Sequence, residues 1–220
     1  RAAFARCGDM NVRVRPATPD DALAAVPLIY SSGPATFDYV LADSGPDQTP
    51  AFVSRAFRGN IGELGYSHHV VVEMDSEIVG VGAGFCAHDL SGAMLQGMRH
   101  VLALYGPVAG VRVVARALRV ERVVQPPRGE VYCIAHLGIA PKWRGKGLGS
   151  LLLDHLLEQG RARKRMLAVL DVAATNPRAQ ALYERHGFRV TGESVSNLRR
   201  GEYAVANHRR MERSILAVGN

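Results

Sequence analysis

The sequence predicts an α/β protein, and three observations predict it. Apolar runs rich in valine, leucine and isoleucine, at 69–74, 77–85, 131–140 and 166–172, have the length and composition of strands. Segments with apolar residues every three or four positions flank them, as helices with one buried face require. Gly, Pro, Asn and Asp punctuate the joints. One joint, 141–150, is basic and glycine-spaced and runs from a strand into a helix, and the rest of the chain is organised around it.

Residue 1 is Arg, and residues 1–9 read as a disordered upstream segment, with Met10 the first plausible initiator and a single domain over 10–220. Val12-Arg13-Val14-Arg15 alternates as a half-buried strand does. Thr18 or Asp20 caps a helix over 19–32, with Leu23, Val26, Ile29 and Tyr30 at helical spacing, and Ser31-Ser32-Gly33-Pro34 ends it. Thr36–Leu41 is a short aromatic segment holding Phe37 and Tyr39, and a loop over 43–50 leads to a helix at 50–58. Asp75-Ser76 turns the chain between strands 69–74 and 77–85. His68 and His69 point to opposite faces of a strand, so they form no ligand pair and read as one solvent and one core-edge residue.

Residues 87–129 read as a helical hairpin broken at Gly106-Pro107. Leu90, Met94, Met98, Val101, Leu102 and Tyr105 share one apolar face. Arg112, Arg116 and Arg119 line a second helix, 108–124, either as a solvated face or as a surface for an acidic acceptor. The chain ends with a helix after Asn176-Pro177, strands at 188–195 and 207–215, and a bulge at Thr191-Gly192.

A length of 220 residues, 47% of them hydrophobic and 21% charged, fits one soluble globular domain. No run approaches a membrane span, and no signal peptide is visible, so neither a membrane nor secretion is expected. Cys7, Cys86 and Cys133 are few and widely spaced, which predicts reduced thiols in a cytoplasmic protein. No Cys/His spacing predicts a metal site. The net charge of +7 fits a solvated arginine surface or attraction for a polyanionic cofactor, and no nucleic-acid reader motif accompanies it.

The loop at 141–150 has the chemistry of an anion site. The first N–H groups of a helix lack intrahelical partners and carry partial positive charge. Glycines at 145, 147 and 149 leave those groups unobstructed, and Arg144 and Lys146 add full charges. A P-loop is excluded, because Ala140 and Gly147 occupy positions where it needs Gly and Ser or Thr. A dinucleotide fingerprint is met by Gly145 and Gly147 but finds Ser150 third, with Asp171 at the distance of a ribose acid. Arg-x-x-Gly-x-Gly is met in full by Arg144, Gly147 and Gly149.

That last pattern resembles the acetyl-CoA pyrophosphate loop of the GNAT superfamily of N-acetyltransferases. One strand later, Asn176-Pro177-Arg178-Ala179-Gln180-Ala181-Leu182-Tyr183-Glu184-Arg185-His186-Gly187-Phe188 resembles the family's Asn-x-x-Ala-x-x-Leu-Tyr-x-x-x-Gly-Phe segment. The resemblance implies a mixed, mostly antiparallel sheet with helices on both faces, and the 87–129 insert is an addition between the third and fourth strands. The strands near 131–140 and 166–172 would splay apart around pantetheine. Cofactor contacts would come from the backbone at Leu137 and Ile139, from Arg144, Gly145, Lys146, Gly147, Leu148, Gly149 and Ser150, and from Asn176 and Tyr183.

The implied reaction is acetyl transfer from acetyl-CoA to a primary amine of a small molecule or protein, by direct attack in a ternary complex. Tyr183, a phenol of pKa about 10, would protonate a thiolate of pKa about 8.5. The base candidates are His136, Glu130 and a water relay. Cys133 as an acyl carrier lacks a visible activating partner. Phe37 and Tyr39 are candidates for the acceptor pocket, with Tyr39 also readable as core. A non-catalytic acyl-CoA sensor and a nucleotide-binding module are the alternatives, and the insert offers a homodimer surface.

Overall fold

A computed structural model describes residues 3–7, 10–43, 45 and 47–216, with backbone only at 3–7, 10, 93 and 94. The strands are β1 (Ala3–Cys7), β2 (Met10–Pro16), β3 (His69–Met74), β4 (Glu77–Phe85), β5 (Val131–Ile139), β6 (Leu167–Ala173), β7 (Arg189–Ser194), β8 (Arg199–Arg200), β9 (Tyr203–Ala204) and β10 (His208–Ser214). The helices are α1 (Ala22–Ser31), α2 (Pro34–Leu41), α3 (Gln48–Arg58), α4 (Ala93–Val120), α5 (Leu148–Ala162) and α6 (Pro177–Arg185).

Among the described residues the main sheet runs β1-β2-β3-β4-β5-β6-β10-β7, and β8 pairs β9 in a separate hairpin. Every main-sheet pair is antiparallel except β5 with β6. Burial on both faces explains why β3 and β4 are continuous apolar runs rather than alternating ones. Val70 and Val72 join the core under α5, and Val71 and Val81 join the core under α1 and α3. Two backbones make close passages. A Cβ on Gly82 would lie 3.1 Å from Leu156 under α5, and one on Gly138 would lie 2.3 Å from the Leu28 carbonyl of α1.

The predicted strands and helices are present, with three differences. The backbone of Ala3–Cys7 pairs with β2, so order begins upstream of Met10 there, while Arg1, Ala2, Gly8 and Asp9 lie outside the described residues. The aromatic segment at 36–41 is the helix α2, started by Pro34 at a position where a missing N–H is harmless. The bulge in β7 is there: Gly192 faces Arg210 and Val190 faces Met211, which leaves Thr191 as the extra residue.

The third difference is α4, kinked where Gly106 takes φ 74 and ψ 173. Leu95–Val120 is long and apolar enough to cross a membrane by length and composition, contrary to the expectation that no run approaches one. Its inner face is docked on the domain: Val101 and Val113 are buried, and the Tyr105 hydroxyl donates to the Leu41 carbonyl at 2.7 Å. The predicted apolar face is only part of what is buried, since Met98 and Leu102 are each 39% exposed. Two of the three arginines assigned to an acidic acceptor are engaged within the fold. Arg112 and Arg116 both pair with Asp43, and Arg116 also donates to the Val40 carbonyl.

Candidate active site

Between β5 and α5 the chain makes a tight turn, Pro141–Trp143, pinned by the Ala140 N–H donating to the Val79 carbonyl at 2.9 Å. Arg144 Nε donates to the Ile139 carbonyl at 2.9 Å, fixing the guanidinium at the strand end. Gly145 and Gly147 then take φ 79 and 80, left-handed values that an L side chain resists. The first backbone bond of α5 is Leu151 N–H to the Gly147 carbonyl, so Leu148, Gly149 and Ser150 present N–H groups without helical partners. Lys146 lies 4.3 Å over the Trp143 ring, beside those groups. A Cβ on Gly149 would touch Leu182 at 3.3 Å, so this glycine also lets α6 close on α5. Arg178 of α6 reaches to the edge of Gly145. The stretch expected to hold a phosphate thus presents three N–H groups without helical partners, and Arg178 of α6 stands beside its first glycine.

The loop sits at the open end of a fork. β5 and β6 are paired only from Val131–Cys133 to Leu167–Val169 and separate beyond. The edge of β5 carrying Ile134–Ile139 therefore faces β6 without a strand partner, as an extended amide-bearing ligand would need. Leu137 and Ile139 are on this stretch, half-buried against the α5 side. Gly138 pairs with Val81 and Ala135 with Ala83, so His136 and Leu137 together oppose Gly82 in a β-bulge. His136 has φ 56, a left-handed value for a non-glycine residue.

Tyr183 of α6 belongs to the core cluster against which Leu137 and Ile139 pack. Asn176 caps the helix, its Oδ1 accepting from the Ala179 N–H at 3.1 Å, so that side chain is engaged in the cap. Tyr183 is 8% exposed and packs edge-on against Phe188 at 6.2 Å. Burial pushes its phenol up to about 12, and its hydroxyl makes no hydrogen bond among the described residues.

The bulge decides what lies on the opposite face, under α1–α3. Ala83 pairs with both His69 and Ala135, so those three share a face. The bulge re-aims His136 to the same side: its ring meets His69 and Phe37, the latter at 6.0 Å. Phe37 therefore stands beside His136 on that face. Tyr39, on the other side of α2, is 3% exposed and packs with Val123 and Val205, as a core residue.

Glu130 does not join them. It precedes the paired end of β5, on the order of 20 Å from His136 along the strand. Its side chain is 87% exposed and paired with Arg165. Cys133 is on the inner face, but burial pushes its thiol far above the ordinary range, which removes it as a nucleophile.

Two further residues on this face were not singled out for acyl transfer from the sequence. Asp171 stands two residues after Val169 on β6, hence on the His69–Ala135 face, and is bound by Arg210 at 3.0 Å. Its side chain is 8% exposed, and burial raises its pKa to about 6 against the pull of Arg210. An acid in an otherwise apolar strand was the available signal. His69 is the second; no signal in the chain shows that it meets His136 across β4.

Comparison with known proteins settles the family. Residues 37–188 match the sequence profile of the Acetyltransferase (GNAT) family. The chain belongs to this family of acyltransferases, whose co-substrate is acetyl-CoA. It is 30% identical over 100 residues to 5-NmdU N-acetyltransferase of Pseudomonas phage PaMx11, covering 46% of this chain and 63% of that one. It is 34% identical over 71 residues to [ribosomal protein bS18]-alanine N-acetyltransferase of Salmonella typhimurium, covering 32% and 45%. The chain thus spans less than two thirds of the length of these relatives. A solved N-acetyltransferase from Staphylococcus aureus Mu50 superposes with a TM-score of 0.65 at 17% identity, over 91% of this chain and 99% of that one. The ribosomal-protein-S18-alanine N-acetyltransferase of Escherichia coli gives 0.55 at 15% identity, over 95% and 97%. These two likenesses concern the fold, including the mostly antiparallel sheet.

Proposed function

We propose that this protein transfers an acetyl group from acetyl-CoA to a primary amine by direct attack in a ternary complex. The observation that carries the reading is the fork between β5 and β6, opening beside the unpartnered N–H groups of α5. The pyrophosphate would rest on Gly145–Ser150 with Arg144, Lys146 and Arg178 around it. The pantetheine chain would run along the free edge of β5 and bring the thioester to the bulge.

The amine enters as its free base from the α1–α3 side, past Phe37. Its nitrogen attacks the thioester carbon, a C–N bond forms, and the C–S bond breaks. The proton shed by nitrogen goes to Asp171, which is ionised above a pH of about 6. The leaving thiolate takes the proton of Tyr183, which is restored through solvent. His136, lowered to about 4 by burial, is the weaker base of the two. The same two buried free thiols, Cys86 and Cys133, support a reducing cytoplasm as the place of action.

Thermal melting with acetyl-CoA, beside NAD and ATP as controls, tests the cofactor assignment. Ligand at a hundredfold excess over Kd adds about 2.7 kcal/mol of stability. A shift with acetyl-CoA alone is expected, followed by thiol release on screening benzylamine, spermidine and an alanine-initiated peptide. Equal shifts with NAD would sink the reading, and binding without thiol release over a wide amine panel would leave a sensor.

A further inference from the structure

His69 and His136 lie on strands separated by β4, yet their rings meet over Ala83, whose side chain is small enough to let them. His69 Nε2 is 3.3 Å from His136 Nδ1. The ring planes differ by 6° and the centroids are 5.4 Å apart. With near-parallel planes and two ring nitrogens 3.3 Å apart, a centroid separation of 5.4 Å is reached only with the rings side by side rather than face over face, as an in-plane N–H···N bond requires.

The direction of that bond follows from one fixed end. His69 Nδ1 is 2.8 Å from the Gly65 carbonyl, which can only accept. Nδ1 of His69 therefore carries the proton. A neutral imidazole has one N–H, so His69 Nε2 is an acceptor and His136 Nδ1 must be the donor. His136 Nε2 is left unprotonated. It makes no hydrogen bond among the described residues and is not enclosed among the buried unpartnered atoms. Both rings are neutral at physiological pH, because burial lowers His69 to about 3 and His136 to about 4. Phe57, 5.4 Å from His69, and Phe37 on the His136 side hold the pair from both ends. The left-handed backbone at His136 is a local cost that the fold carries at this one point of β5.

We propose that His69 is a positioning residue: it locks His136 in the Nδ1–H tautomer, so that His136 Nε2 presents a lone pair that receives an N–H of the incoming amine. This rests on the acetyl-transfer reading above. Held so, a free amine keeps its own lone pair turned toward the thioester, while Asp171 takes the proton it later sheds. Neither tautomer nor orientation would be fixed by a lone histidine on a strand.

Long-range 1H–15N correlation on histidine-labelled protein at about pH 7.5 reads the tautomer of each ring, with His136→Gln assigning its signals. Both rings are expected neutral and protonated at Nδ1, and an Nε2-protonated His136 overturns the proposal. In His69→Phe the lock is gone, so His136 should become a tautomer mixture and kcat/KM for the best amine of the screen should fall by about tenfold or more. In His69→Gln the side-chain oxygen still accepts from His136, so the tautomer and most of the rate should persist. Equal loss in both variants would reduce His69 to a core residue and overturn the positioning role. If the phenylalanine variant does not fold, the wild-type and glutamine spectra decide. Failure of acetyl-CoA to shift wild-type melting would instead defeat the acetyl-transfer reading and leave the tautomer result standing.

Discussion

Replacing Asp171 by Asn separates catalysis from stability at one side chain. The carboxyl group is 8% exposed on the inner face of the sheet, and its pKa stands near 6 rather than 3.8. Because the folded value is raised, the stability linked to this group is full below the unfolded pKa and is lost as pH rises through 6. At pH 7 the ionised form costs about 3 kcal/mol, from a shift of about two units at 1.36 kcal/mol each. Asn removes that cost and keeps the shape, although Arg210 loses its carboxylate partner. The melting temperature at pH 7 should therefore hold or rise. The rate should do the opposite: loss of a positioned base lowers kcat by about 100- to 10,000-fold. Thiol release followed from pH 4.5 to 8 should show kcat/KM of the wild type falling below an acid limb near 6, and that limb should vanish in the variant. An Asn variant with wild-type kcat and an intact limb near 6 would refute the assignment. A wild-type profile with no limb down to pH 4.5 would move the role to a group of lower pKa such as His136.

Three further outcomes follow from the same geometry. Gly147→Glu places a side chain and a negative charge on a residue at φ 80, at the mouth of α5, and should weaken acetyl-CoA binding by at least about tenfold, or 1.4 kcal/mol, by calorimetry. Tyr183→Phe keeps the buried ring against Phe188 and deletes only the hydroxyl, so kcat should fall by about tenfold or more while acetyl-CoA affinity and melting stay near wild type; unchanged turnover would assign the thiolate's proton elsewhere. His69 and His136 have folded pKa values below the unfolded 6.5, so their contribution is present above 6.5 and lost as pH falls. Each should cost on the order of 2 kcal/mol at pH 5, partly offset by Asp171, and denaturant melts at pH 7 and 5 would show whether stability drops.

The geometry of the Gly145–Ser150 turn and of the α6 cap was legible because its physics is local. Gly145 and Gly147 adopt the left-handed turn that only their own sequence position demands, and Asn176, Pro177 and Gly187 cap α6 as their residue types require. Residues that bind one another within a dozen positions can be read along the chain. Helix α4 shows the limit even so: Gly106 rotates the second half against the first, so one continuous apolar stripe could not be projected through it.

The face under α1–α3 was not legible, because it is made by register between strands. A one-residue bulge opposite Gly82 decides which face His136 occupies, and the pairing of Ala83 with both His69 and Ala135 decides what it meets there. Phe37 and Tyr39 show the same thing on a short helix: two aromatic residues two positions apart, one beside His136 and one in the core. Asp171 lay in a strand correctly drawn, yet its role depends on β6 diverging from β5 after Val169, a fact about two chains of atoms rather than one. The Gly145–Ser150 turn is built from neighbours in the chain, so its constraints are written in contiguous residues. The groups on the face under α1–α3 are set by nonlocal register, where a single inserted or deleted residue re-aims a histidine without disturbing that turn.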